Sequence, residues 1–276
     1  MALSANTRLV GILGVALLVS STAACDVGID SSGFSLDMAS GRAQDEWTRS
    51  YALGPGGRLE LINVNGRITA EGSDGPSVEV RAERTARGAS DESAADLLSK
   101  IEMREEVGEA RVRVEVRAPR IHGMGGHDIK WTVRVPKGVN VDLRTVNGGV
   151  RLSGLDGEVR AKSTNGGVNG QALRATALDA SVTNGGVDIQ LATAPNAGIF
   201  ALESVNGGVS LSLPGDSRAD IRARCVNGGI TVSGLELQTE GDQSRRLVQG
   251  RLNGGGARVN LETTNGGVKL ARSQSS

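Results

Sequence analysis

Aromatic side chains are almost missing from this sequence: two Trp, one Tyr and two Phe among 276 residues. A sandwich core depends on larger side chains, so whatever interior this chain builds is narrow and filled by small ones. Cysteine is equally scarce. With only Cys25 and Cys225, the chain has no disulfide framework of the kind that staples small exported domains. Neither sign of charge dominates, since 31 Lys plus Arg face 31 Asp plus Glu. That leaves no basic field to attract nucleic acid, and no nucleic-acid partner is expected. The apolar run Leu9–Val19 is too short to span a bilayer as a helix. Glycine, by contrast, is plentiful at 40 residues, and an apolar fraction of 38% is too high for wholesale disorder. The composition is that of a turn-dense, folded, all-β chain.

The glycines are ordered. Asn147, Asn165, Asn184, Asn206, Asn227 and Asn265 are each followed by two glycines and then Val or Ile, and the first five lie 18, 19, 22 and 21 residues apart. A fixed period near twenty residues marks a repeat architecture. Aligned on the Asn, the column six before it reads Val141, Val159, Leu178, Phe200, Ile221 and Val259. Four before stand Leu143, Ala161, Ala180, Leu202, Ala223 and Leu261; two before, the small Thr145, Ser163, Val182, Ser204, Cys225 and Thr263. Three after stand Val150, Val168, Val187, Val209, Ile230 and Val268, while the column three before is polar. This alternation predicts two short strands per repeat with one apolar face, and the glycine pair turns the chain between them. Looser turns such as Gly154-Leu155-Asp156-Gly157 and Leu213-Pro214-Gly215-Asp216 close the repeats.

Two architectures fit. In an antiparallel meander or sandwich each Asn-Gly is a tight hairpin. In a β-solenoid each repeat of about 20 residues is one coil, and equivalent residues stack about 4.8 Å apart. Like residues in like positions, small inward side chains and the lack of a second apolar layer favour the solenoid. Its stacked Asn side chains then form a buried amide ladder along one edge, bonding coil to coil. These six asparagines are expected to be structural.

Upstream, Arg8, the run Leu9–Val19 and the small residues Ser20–Ala24 read as a signal peptide, 1–24. Thr22-Ala23-Ala24-Cys25 resembles the lipobox of bacterial lipoproteins, so Cys25 is the expected lipidation site; Thr22 departs from the usual Leu, which leaves plain cleavage as the alternative. Cys225, in an inward column, reads as a small buried apolar residue. Residues 25–45, rich in Ser, Gly and Asp, are expected to be a flexible tether, and 46–276 a single β-repeat domain. Within it, 46–136 holds N-terminal strands, and 137–276 holds the Asn-Gly-Gly repeats. Residues 90–101 carry a helical pattern with Ser90 as N-cap and Ala94, Leu97, Leu98 and Ile101 on one face, suited to cap the stack. Val64-Asn65-Gly66-Arg67-Ile68 is an early, isolated copy of the repeat, whereas Asn253-Gly254-Gly255-Gly256 falls out of register and reads as a loop.

Together, the early copy, the Asp91–Leu98 helix, Val135-Pro136 leading into Val139–Leu143, and the later Asn-Gly-Gly-Val series resemble the bacterial β-strand-repeat family of candidate adhesins, domains of unknown function. The likeness runs from about Trp47 to Leu270. It implies a right-handed parallel β-helix-like fold, an envelope location and no known catalytic residues.

Chemical motifs are weak beside this. His122, Met124, His127 and Asp128 lie within seven residues, but the intervening glycines leave them unorganised, and a surface loop is the better reading, with no metal or cofactor expected. Asp142, Asp179 and Asp188 lie on polar faces among residues of alternating sign, which reads as a solvated face rather than a polysaccharide-cleaving centre. No glycine pair opens a helix as a phosphate loop does. The expectation is therefore a non-enzymatic envelope lipoprotein, held to a bacterial membrane through Cys25, that binds an envelope protein or surface polymer. A secreted or periplasmic soluble protein, an accessory of an envelope-stress system and a β-helix polysaccharide-active enzyme are the alternatives.

Overall fold

The computed structural model describes residues 41–119, 125–239 and 244–273. The signal peptide, Cys25 and the tether up to residue 40 lie outside them. Among the described residues the chain is nearly all strand, with one helix. The N-terminal part holds β1 Gly41–Tyr51, β2 Arg58–Ile62, β3 Ile68–Ser73, β4 Val78–Gly88, α1 Asp91–Ser99, β5 Glu102–Val107, β6 Arg111–Arg117 and β7 Gly126–Pro136. Each Asn-Gly-Gly then joins two strands. These pairs are β8 Asn140–Asn147 with β9 Val150–Ser153, β10 Glu158–Asn165 with β11 Val168–Leu173, and β12 Ala177–Asn184 with β13 Val187–Leu191. After them come β14 Ile199–Asn206 with β15 Val209–Leu213, and β16 Ala219–Asn227 with β17 Ile230–Ser233. The hairpin of β18 Leu237–Thr239 and β19 Leu247–Leu252 precedes the last pair, β20 Ala257–Asn265 and β21 Val268–Arg272.

The strands before and after each Asn-Gly-Gly belong to different sheets, so this tripeptide is a corner and not a hairpin. That removes the meander. One sheet has eleven strands, in the order β18-β19-β16-β20-β14-β12-β10-β8-β2-β6-β5; the other has ten, in the order β1-β4-β7-β3-β9-β11-β13-β15-β21-β17. Both are mixed with a parallel centre; the eleven-stranded sheet has antiparallel pairs at both ends, the ten-stranded one only at its β1 end. In the parallel centre like residues pair with like: Val159 with Val141 and Leu178, Val168 with Val150 and Val187.

All four apolar columns face inward. Val141, Leu143, Val150, Val159, Ala161, Val168, Phe200 and Leu202 are all buried, as are Thr145, Ser163, Ser204 and Cys225. The buried hydroxyls are satisfied by the corner below: Thr145 Oγ1, Ser163 Oγ, Ser204 Oγ and Thr263 Oγ1 donate to the carbonyls of Gly66, Gly148, Gly185 and Gly207. The first glycine of each corner is demanded by close approach, because a Cβ on Gly207 would lie 2.1 Å from the Gly185 carbonyl oxygen.

Three details differ from the sequence reading. First, β1 begins at Gly41 and pairs with β4 along its whole length, so Gly41–Asp45 is strand and not tether. Gly41 marks the reason: α1 crosses so close that a Cβ there would lie 1.9 Å from the Ser90 carbonyl carbon. Second, the early copy is not isolated. β2 and β3 stack directly on β8 and β9, despite 82 residues between Asn65 and Asn147. Third, the coils do not follow chain order at the C-terminal end. β20 and β21 insert between the coil of Asn206 and that of Asn227. The insertion lets β19 lie antiparallel on the outer edge of β16, closing an edge that would otherwise be open to strand addition. At the opposite end α1, capped by Ser90, buries Ala94 and Leu98 and shields β1 and β4.

Candidate functional site

The corner of the stack gathers the most regular chemistry in the molecule. Each Asn donates from Nδ2 to Oδ1 of the next: Asn227 to Asn265, Asn265 to Asn206 and Asn147 to Asn65 at 2.8, 2.8 and 2.7 Å. Between them, Asn206, Asn184 and Asn165 continue the ladder to Asn147 at 2.9, 2.9 and 2.8 Å. All donors point the same way, so the ladder needs an acceptor at its foot. Asn65 Nδ2 finds His127 Nε2 at 3.4 Å. His127 must then carry its proton on Nδ1, which is buried without a partner among the described residues. Burial lowers the pKa of this imidazole from its ordinary 6.5, and neighbouring Asp128 opposes the shift. The six repeat asparagines are exposed, not buried, because the corner turns their side chains to solvent.

Two grooves flank this ladder. On the eleven-stranded side, a groove of ≈ 640 Å³ runs across the residues just before each Asn. Its raised strip is β-branched throughout: Val64, Val146, Thr164, Thr183, Val205, Thr264 and Val226 in stacking order. The four valines are 38%, 41%, 44% and 44% exposed, which is unusual for such side chains on a rigid sheet. Beside the strip, Arg144 and Lys162 stand toward one end and Glu203 and Glu262 toward the other, with Arg224 beyond them. On the ten-stranded side, a second groove of ≈ 660 Å³ is floored by the second glycines and bordered by Arg67, Arg151, Asp188 and Lys269.

The candidate carboxylates do not converge. Asp142 is buried beneath Arg144, which bonds both its oxygens at 2.9 and 2.6 Å; Asp179 faces Lys162 at 3.8 Å. Arg160 stands between those two coils, and Asp188 is on the other sheet. His122 and Met124 lie outside the described residues, and no cluster of three metal-ligating side chains occurs among the described ones. Cys225 is buried, its Sγ 3.8 Å from the Arg245 carbonyl oxygen. The sequence reading missed His127 as the foot of the ladder, since 62 residues separate it from Asn65. It also passed over the exposed strip, although the column before each Asn is Val or Thr in every repeat.

This layout of corner and sheets has known relatives. The sequence profile of the Toastrack DUF4097 family matches residues 128–271, more than half of the chain. The chain belongs to that family. Among solved structures, the Toastrack chain is similar to a candidate cell-adhesion protein from Clostridium sporogenes, at 13% identity and TM-score 0.53, over 84% of this chain and 100% of that one. A candidate adhesin from Bacteroides fragilis is similar at 11% identity and TM-score 0.36, over 83% and 97% of the two chains. A candidate lipid-binding protein from Parabacteroides distasonis reaches 8% identity and TM-score 0.28, over 83% and 97%. The first of these supports the fold; at such identities none speaks for a ligand. No curated protein matches the chain. No helix of the described residues is long and apolar enough to cross a membrane.

Proposed function

We propose that this Toastrack protein is a non-enzymatic, extracytoplasmic lipoprotein. In this reading Cys25 carries the membrane anchor, and a right-handed β-solenoid displays a rigid face to an envelope or surface partner. The observation that carries it is the exposed Val/Thr strip. Seven β-branched side chains stand in register on successive coils, and the five inner ones lie on strands paired in parallel on both sides. A face of that kind loses little conformational entropy on binding, because β-branched side chains are already restricted. The neighbouring charges, basic at Arg144 and Lys162, acidic at Glu203 and Glu262 and basic again at Arg224, form an asymmetric pattern that would set the direction in which a partner lies. The adhesin-like fold of the Clostridium relative agrees with a binding role.

The test is binding of the purified full-length protein to isolated bacterial envelopes. Replacing Val146 and Val205 with Lys should abolish envelope binding while leaving the melting temperature within a few degrees, since both side chains already face solvent. Undiminished binding by that variant would remove the strip from the interface.

A further inference from the structure

The groove on the ten-stranded side has a different chemistry from the strip. In every corner except that of Asn227 the first glycine and the apolar residue after the pair donate their amides to the next coil, as Gly148 to Asn165, Val150 to Gly167, Gly166 to Asn184 and Val168 to Gly186. The second glycines, Gly149, Gly167, Gly186, Gly208 and Gly267, donate to nothing among the described residues. The last four are exposed. The groove floor is therefore a row of backbone N–H groups without intramolecular partners, one per coil, about 4.8 Å apart. It runs beside the Asn ladder, where each Nδ2 spends one N–H on its neighbour and keeps a second.

Packing restricts these glycines unequally: a Cβ on Gly149, Gly167 or Gly186 would press on the next coil's backbone oxygen at 3.1, 3.0 and 3.3 Å, whereas the positions beyond them are roomier. A Cβ on Gly208 or Gly267 would sit 3.4 Å from the nearest atom, and one on Gly229 would meet nothing within 4 Å. In the coil of Asn65 the same position is Arg67. Its neighbour Arg151 projects on the same face, one strand over and two positions along, where it pairs with Thr69. Neither guanidinium has an ion-pair partner among the described residues, and bare Gly149 lies across from Arg67, leaving room between the two. Lys269 adds a cation farther along. Asp188, between them, is the carboxylate that borders the groove, and Glu71 stands two positions beyond Thr69 on β3.

We propose that this glycine-floored groove binds a linear acidic polysaccharide. One carboxylate would sit between Arg67 and Arg151, and further oxygens would lie over the row of amides. Donors outnumber acceptors along the floor, and backbone N–H groups of this kind favour anions. The fork of each guanidinium matches a carboxylate. A polymer is indicated because the same donors recur coil after coil in one line. A peptide or stacked bases would find no apolar or aromatic side chain on this floor to grip, whereas Asn169 and Ser210 suit sugar hydroxyls.

The test uses the full-length protein and affinity electrophoresis in gels containing polygalacturonate, neutral dextran or polyglutamate. Polygalacturonate should retard the protein and dextran should not. Arg67→Gln with Arg151→Gln should weaken the retardation constant about tenfold or more, and Asp188→Asn should strengthen it. Equal retardation by dextran, equal or stronger retardation by polyglutamate, or an unchanged constant in the double variant would overturn the proposal. If the double variant melts early, Asp188→Asn decides: no tightening overturns it. The Val146 and Val205 variants leave this groove intact, so a failed strip interface and a failed polysaccharide groove are separable results.

Discussion

The Asn side chains decide less stability than a buried ladder would, because water can replace each lost partner. Asn184→Ala removes one donor and one acceptor at an exposed corner and should cost about 0.5–1.5 kcal/mol, the net worth of ordinary hydrogen bonds. Asn253, out of register, should cost at least as much. Its Nδ2 donates to the carbonyls of Gly215 and Ser217 at 3.0 and 2.8 Å, and it holds φ +50°, which Asn tolerates better than Ala. Denaturant midpoints for the two variants, measured side by side, check this. The order was hidden in the sequence, where Asn253 looked like a stray copy; only its contacts with the preceding turn give it a role. His127 makes a second prediction at this scale. Its folded pKa lies below 6.5, so as pH falls beneath 6.5 the unfolded chain takes up the proton first, and stability drops through that window and is level above it. His127→Gln keeps an acceptor for Asn65 and should flatten this part of the stability curve. An identical slope in both proteins between about pH 5 and 7 would show that the imidazole stays outside the titration.

Corners and strands are where the sequence was most readable. The period-two columns place the core residues correctly because burial on a narrow interior leaves no freedom of register: a one-residue slip would turn Val159 and Ala161 out to water. The two glycines of a corner, identical in sequence, are not equivalent in space. Gly207→Ala drives its Cβ to 2.1 Å from the Gly185 carbonyl oxygen, while Gly208→Ala meets its nearest neighbour at 3.4 Å. The first should destabilise by several kcal/mol or prevent folding, and the second by less than about 1 kcal/mol. Thermal melts of the pair check the asymmetry. Coil order was not readable. The Asn265 repeat has the same inward residues as any other, so its pattern fits any place in the stack; the only hint was its spacing of 38 from Asn227. The inserted order predicts that cysteines at Ser210 and Lys269 crosslink within one molecule, whereas cysteines at Ser210 and Thr231 do not. The reverse result would restore simple chain order.

At the scale of the whole molecule, each end of the stack carries an element that the repeat itself does not supply: α1 over β1 and β4, and β19 along β16, beside which β17 stays the outer strand of its own sheet. Such end elements suit a protein that presents its sides rather than its ends to partners. Cys25 lies 16 positions before Gly41, where β1 starts. A chain of that length spans at most roughly 55 Å when fully extended. An acyl group on Cys25 would therefore hold the β domain within that distance of the membrane. The strength of that hold is the measurable quantity. A single acyl chain gives only reversible attachment, whereas two or more chains make it stable. Cys25→Ser should thus move the protein from the membrane fraction to the soluble extracytoplasmic fraction, with an unchanged melting temperature, because position 25 precedes the first strand. Intact mass of the wild-type protein should exceed that of the polypeptide beginning at Cys25 by the mass of the lipid. A wild-type mass equal to the bare polypeptide, together with a Cys25→Ser variant that partitions as the wild type does, would mean that the protein is released after cleavage. The envelope contacts would then rest on the two grooves alone.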